Sequence, residues 1–144
     1  MKEDSWNDCL ENNSAIKRSP DIAKAKSLLE TAKGRVEFTL KKELDENNAN
    51  YIFEDYYSSI IEVIHALANL QGYNISNHIC LGYYIKDVLK REELFRIFDD
   101  CRFKRNSLTY YGKRMDFETA KYSIERSKVL FNELLKVLDK ELIS

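Results

Sequence analysis

The chain has 144 residues and a mass of 17.0 kDa, the length of one domain with no room for two independent cores. Apolar residues make up 44% and charged residues 33%, which excludes a disordered or membrane-embedded chain. Four glycines and one proline argue against a sandwich, a barrel or a Gly-rich nucleotide fold, and a net charge of −1 excludes strong whole-molecule attraction to nucleic acid or anionic lipid, though not a local basic patch.

The apolar spacing predicts helices throughout. Trp6, Cys9, Leu10, Asn13 and Ile16 stand three or four apart and predict a short first helix. Ser19-Pro20 resets the chain. Ser19 suits an N-cap, Pro20 the first helical position and Asp21 the positive end of the helix dipole. The second helix carries Ile22, Ala25, Leu29, Ala32, Val36, Leu40 and Leu44 on one face and stops near Glu46-Asn47-Asn48. The third is the most apolar: Phe53, Tyr56, Tyr57, Ile60, Ile64, Leu67, Ala68 and Gln71 form a stripe widened by Ile61 and Val63. A stripe that broad belongs at the centre of a bundle. Gly72 fits a C-terminal cap, and Asn74 or Ser76 can start the next helix.

The fourth helix, from about Asn77 to Leu89, presents Cys80, Leu81, Tyr84, Ile85 and Val88. The fifth runs from near Arg91 to about Tyr111 and ends at Gly112. Asp116 caps the sixth, whose stripe is Phe117, Ala120, Ile124, Phe131, Leu134, Leu135, Leu138 and Leu142. No run has the period of two that marks a strand. The expected fold is all-α: an antiparallel up-and-down bundle of four to five long helices behind a short leading one, filling residues 1–144 as a single domain.

Cys9, Cys80 and Cys101 stand far apart, odd in number and without a CxxC pair. We therefore expect reduced thiols rather than a disulfide framework or a zinc knuckle. The start, Met1 to Trp6, carries acids where a secretory signal is basic, and no segment approaches the ~20 apolar residues of a membrane span. The expectation is a cytoplasmic protein with no membrane partner. His65 and His78 lack an i,i+4 partner, so no metal or other cofactor is expected. His65 reads as a half-buried histidine on the flank of the third stripe, and His78 as a first-turn residue whose pKa the helix dipole lowers.

The fifth helix breaks its own pattern. Leu94, Ile97, Phe98, Cys101 and Leu108 cluster on one side, and Arg105 projects into the middle of that stripe. A core-facing arginine costs several kcal/mol unless it is paired or reaches water. One reading pairs it with Glu54 or Asp55. The other opens the stripe into a groove, where Arg102, Asn106 and Tyr110 follow at steps of four beside Arg105. From Cys101 to Met115 there are five basic residues (Arg102, Lys104, Arg105, Lys113 and Arg114) and no acid. Arginine's planar fork suits phosphate, and Tyr110 and Tyr111 can stack on bases. Taken alone, such a run is more simply explained as a solvated charged face.

Three stretches together resemble the HEPN domain family. They are residues 25–33; residues 51–57 with 62–70, Gly72-Tyr73 and His78; and residues 105–111 followed by an amphipathic closing helix. The resemblance spans about Trp6 to Leu142. It implies an all-α bundle, commonly a homodimer in which the two penultimate helices face each other. Many members are metal-independent endoribonucleases with an Arg, four to six residues and a His. Many prokaryotic ones pair with a minimal nucleotidyltransferase as toxin and antitoxin, and in some pairs the partner adds AMP to a tyrosine near that His. Carried over by position, Arg105 takes the arginine role and Asn106 the polar one, while Tyr110 stands where the histidine belongs. Gly112 stands where the modified tyrosine belongs.

A free tyrosine is a poor base at neutral pH, whereas histidine titrates near 6.5. Catalytic roles therefore fall, if anywhere, on Arg105, Asn106 and Tyr110, and nucleic-acid contacts on Arg102, Lys104, Arg105, Lys113, Arg114 and Tyr111. Three readings stand. The first is a catalytically degenerate homodimeric module that binds RNA or a nucleotide and acts with a minimal nucleotidyltransferase. The second is an active ribonuclease using Tyr110, His65 or His78. The third is a structural bundle with Arg105 paired across the core.

Overall fold

The structure is a computed structural model and describes residues 2–143. These residues are mostly helical, with six α-helices and one small sheet: α1 Trp6–Glu11, β1 Ala15–Lys17, α2 Ile22–Leu40, α3 Ala49–Leu70, β2 Tyr73–Ile75, α4 His78–Tyr83, α5 Glu92–Tyr111 and α6 Phe117–Ile143. α3 lies between α2 and α6, and α5 packs on α6 and α4. The breadth of the α3 stripe has the expected result: Ile52, Phe53, Tyr56, Tyr57, Ile60, Val63, Ile64 and Leu67 are all buried. α2 buries only Ala25, Leu29, Ala32, Val36 and Thr39. Its end positions Ile22 and Leu40, and Leu44 beyond it, face solvent.

Several sequence expectations shift at the boundaries. The first helix stops at Glu11, and Asn13 adopts a left-handed φ of 61°. Asp21, rather than Ser19, caps α2 by accepting the Lys24 N–H at 3.0 Å. Asn77 caps α4 by accepting the Cys80 N–H at 2.8 Å. α4 runs on into a π-helical turn, Tyr84–Val88, whose Leu89 N–H donates to the carbonyl of Tyr84, five residues back. The ends of α5 and α6 follow the sequence: Gly112 is the left-handed C-cap of α5, and the Asp116 carboxylate accepts the Thr119 N–H at 2.8 Å.

Two expectations are overturned. The chain does contain strands: β1 and β2 pair antiparallel, with Ala15 opposite Ile75 and Lys17 opposite Tyr73. Three residues each are too few for alternation to emerge from the sequence. Two of the thiols are also not free. Cys9 and Cys80 form a disulfide between α1 and α4, and only the buried Cys101 remains a thiol. The folded chain carries both partners to one point, which neither their 71-residue separation nor their number reveals. Trp6 completes this corner by packing edge-on against Tyr73 and Tyr84.

Two glycines permit close approaches between elements. Gly72 turns α3 into β2 with a φ of +84°, and a Cβ there would meet the Arg18 carbonyl at 2.6 Å. Gly82 lets α5 approach α4, since a Cβ there would stand 3.2 Å from the Phe95 ring. Among the described residues, no helix is long and apolar enough to cross a membrane.

Candidate functional site

The close approach of α4 and α5 sets His78 beside the second half of α5. An open pocket of about 370 Å³ lies between them. Ser76, Asn77, His78 and Ile79 form one wall, and Arg102, Arg105, Asn106 and Tyr110 form the other. The i, i+3 and i+4 spacing of the α5 residues puts them on one flank of that helix. The four residues that the sequence places in one strip are therefore brought together.

Tyr57 of α3 is the centre of the arrangement. It is buried and stacks on Phe98, with ring centroids 6.0 Å apart. Its hydroxyl lies 2.9 Å from His78 Nδ1. The Arg105 guanidinium sits over the same ring, 5.6 Å from its centroid, and over the Tyr110 ring at 5.7 Å. Two rings thus hold the arginine by cation–π contacts. Among the described residues no carboxylate pairs with it, and its one polar side-chain contact is Nη1 to Asn106 Oδ1 at 3.5 Å. The pairing with Glu54 or Asp55 does not form: Asp55 instead accepts from the Thr39 hydroxyl at 3.0 Å. Arg105 avoids the core because the stripe fades there, and Leu108 is only half-buried.

The other basic residues divide. Arg102 donates from Nε and Nη2 to Asp99 at 3.1 and 2.9 Å. Lys104 pairs with Asp100 at 2.9 Å and donates to the Ser123 hydroxyl at 3.0 Å. Both acids lie just before the acid-free stretch, so the run of charge is partly neutralised from its own helix. Lys104, Lys113 and Arg114 line a different groove, of about 260 Å³, on the opposite flank of α5. Arg114 sits over the Tyr51 ring, 5.3 Å from its centroid. Tyr111 stands out in solvent, 81% exposed. The candidate nucleic-acid set is thus split between two faces rather than gathered on one.

Electrostatics follow from this packing. Burial, then the positive charges of Arg105 and Arg102 with a contribution from His65, push His78 down to about 4. The direction is the one expected from the sequence, but its first cause is desolvation rather than the helix dipole. At neutral pH the imidazole is uncharged. Burial raises the Tyr57 phenol above its usual range, although both arginines oppose this, so it keeps its proton. His65 is lowered by burial and Lys24. Among the described residues no cluster of three His, Cys, Asp or Glu side chains can hold a metal ion.

Of the wall formed by Ser76, Asn77, His78 and Ile79, the sequence offers only His78, as a first-turn histidine and as an alternative catalytic group of the ribonuclease reading; nothing in the spacing ties it to Arg105. The two arginines suit the pocket to an anion, and the hydroxyl, amide and imidazole groups supply further hydrogen bonds. No protein-family model, curated protein or solved structure matches the chain.

Proposed function

We propose that this protein is a HEPN-like antiparallel helical bundle that binds RNA or a nucleotide through its phosphate at the α4–α5 pocket, without cleaving it. One observation carries the reading. The Arg105 guanidinium has no carboxylate partner among the described residues, yet two aromatic rings hold it at the wall of an open pocket shared with Arg102 and Asn106. An arginine with its ionic valence unspent and its position fixed is suited to an anionic oxygen. The resemblance of residues 25–33, 51–78 and 105–111 supports the further proposals. These are a homodimer and a minimal nucleotidyltransferase as partner in a toxin–antitoxin-type pair. It also supports a cytoplasmic location, against which the Cys9–Cys80 bond weighs, because disulfides are rare in reducing compartments.

A ribonuclease is the second reading, and His78 favours it by bringing an imidazole beside two arginines. Cleavage through the ribose 2′-hydroxyl requires a base to take that proton and an acid to protonate the leaving 5′-oxygen. With its pKa pushed down to about 4, His78 holds no proton to give as an imidazolium at neutral pH. Tyr110 is 67% exposed, and its ring holds the Arg105 guanidinium.

The test is fluorescence anisotropy with a 5′-labelled single-stranded RNA, read beside a gel of the same samples. Binding that weakens with salt and falls at least tenfold in Arg105→Ala, with the RNA intact, is the expected result. Cleavage by the parent that disappears in Arg105→Ala would replace this reading with the ribonuclease. Affinity indifferent to Arg102→Ala and Arg105→Ala would remove the pocket from the account.

A further inference from the structure

We infer that Tyr57 is a positioning residue: its hydroxyl donates to His78 Nδ1 and so holds the imidazole in the Nε2–H form, as a hydrogen-bond donor to the ligand of the pocket. The inference rests on the reading of the pocket as a phosphate site and adds the group that sets its chemistry.

The contact between Tyr57 Oη and His78 Nδ1, at 2.9 Å, can be satisfied in two ways. Either the phenol donates and Nδ1 accepts, or Nδ1–H donates and the phenol oxygen accepts. The surroundings decide between them. Tyr57 is 2% exposed, and among the described residues its hydroxyl has no other hydrogen-bond partner. In the second arrangement the phenol proton would lie buried without an acceptor, and the group would bear its full desolvation penalty. In the first, every buried polar atom at the contact is paired. The Tyr57 ring is also fixed: Phe98 stacks on it, and the Arg105 guanidinium lies over it. The hydroxyl is therefore aimed by packing, and His78 follows it.

With Nδ1 occupied, Nε2 is the free nitrogen of the ring, and it carries the proton. This has two effects on the pocket. Its ligand-facing groups become donors: the Arg102 and Arg105 guanidiniums, the His78 Nε2–H and the Asn106 amide N–H₂, whose oxygen is turned to Arg105. A lining of donors selects a ligand rich in anionic oxygen. The free nitrogen also has no lone pair to take a proton from a ribose hydroxyl, so the same contact that improves binding removes a base. The charged groups near the imidazole on all packed elements agree with an uncharged ring. Arg102 and Arg105 on α5 repel a positive charge, as does His65 on α3 when protonated.

The test is a long-range ¹H–¹⁵N correlation spectrum of the two histidine rings, assigned with His65→Gln, for the parent and for Tyr57→Phe. AMP affinity is measured on the same samples. The parent is expected to show His78 with a protonated Nε2 and an acceptor Nδ1 at pH 7. In Tyr57→Phe, loss of the donated hydrogen bond moves the Nδ1 resonance downfield, and the Kd for AMP rises about three- to tenfold. A purely structural Tyr57 would leave that nitrogen unmoved. A parent with its proton on Nδ1 overturns the inference, and that result needs no variant to fold. If the parent shows the Nε2–H form but does not bind AMP, the phosphate reading fails while the positioning role stands.

Discussion

Opening the Cys9–Cys80 bond should cost the fold heavily without abolishing it. The bond closes a separation of 71 residues, for which the chain-entropy model gives about 4 kcal/mol at 25 °C. α1 keeps other attachments when the bond is cut. Trp6 packs against Tyr73 and Tyr84, its backbone N–H donates to the Asp87 carboxylate at 2.9 Å, and β1 remains paired with β2. The reduced chain should therefore still fold, with a lower margin. Urea unfolding of the parent with and without a phosphine reductant measures the difference. With a slope of about 2 kcal/mol per molar urea for a domain of this size, the midpoint should fall by about 2 M. Thiol titration in denaturant should find only Cys101 before reduction and all three cysteines after it. An unchanged midpoint, or three reactive thiols in the untreated protein, would refute the reasoning.

Arg105→Leu separates the fold from the site. Leucine keeps the packing against Tyr57 and Tyr110 and forfeits two cation–π contacts and the contact to Asn106, so urea midpoints should place the variant within about 2 kcal/mol of the parent while RNA binding is lost. A severe stability loss would mean that Arg105 serves the fold. Gly72→Ala forces a Cβ against the Arg18 carbonyl at 2.6 Å in a left-handed backbone, and thermal melts should show a loss of more than about 1 kcal/mol; an unchanged melting temperature would contradict that geometry. Stability should also carry a signature of His78. Its folded pKa is lowered to about 4, against about 6.5 unfolded, so the unfolded chain binds the extra proton between those values. The contribution is complete above pH 6.5 and lost as the pH falls to about 4. The urea midpoint should therefore fall less steeply over that window in His78→Gln than in the parent, with His65 contributing to both; equal slopes would contradict the burial of a neutral His78.

The sequence was most readable where burial and periodicity act together. The broad stripe of α3 announced its central position, and Gly112 and Asp116 marked the turn between α5 and α6 because caps depend on local chemistry. Arg105 was visible as an exception to its stripe, and the flank it shares with Arg102, Asn106 and Tyr110 follows from helical geometry alone. What stayed hidden depends on contacts between distant segments. The three-residue pairing of β1 with β2 is a tertiary event, and so is the meeting of Cys9 with Cys80. The π-helical turn at Tyr84–Val88 is a hydrogen-bond register that side-chain spacing does not report. His78 joined the site only because Gly82 lets α5 come close and Tyr57 reaches it from α3. Likewise, the basic run looked like one patch in sequence. It separated because Lys104 points away from Arg102 and Arg105 on the helix, while Lys113 and Arg114 lie beyond its end at Gly112.

The central claim is that the α4–α5 pocket takes phosphate. Its most direct test is a titration of isotopically labelled protein with AMP, followed through the His78 ring and the arginine guanidinium signals. The account predicts saturable shifts at His78, Arg102 and Arg105, absent in Arg105→Ala, with Arg114 on the opposite flank of α5 unmoved. Shifts centred on Arg114, or none at His78 and Arg105 at millimolar AMP, would contradict it.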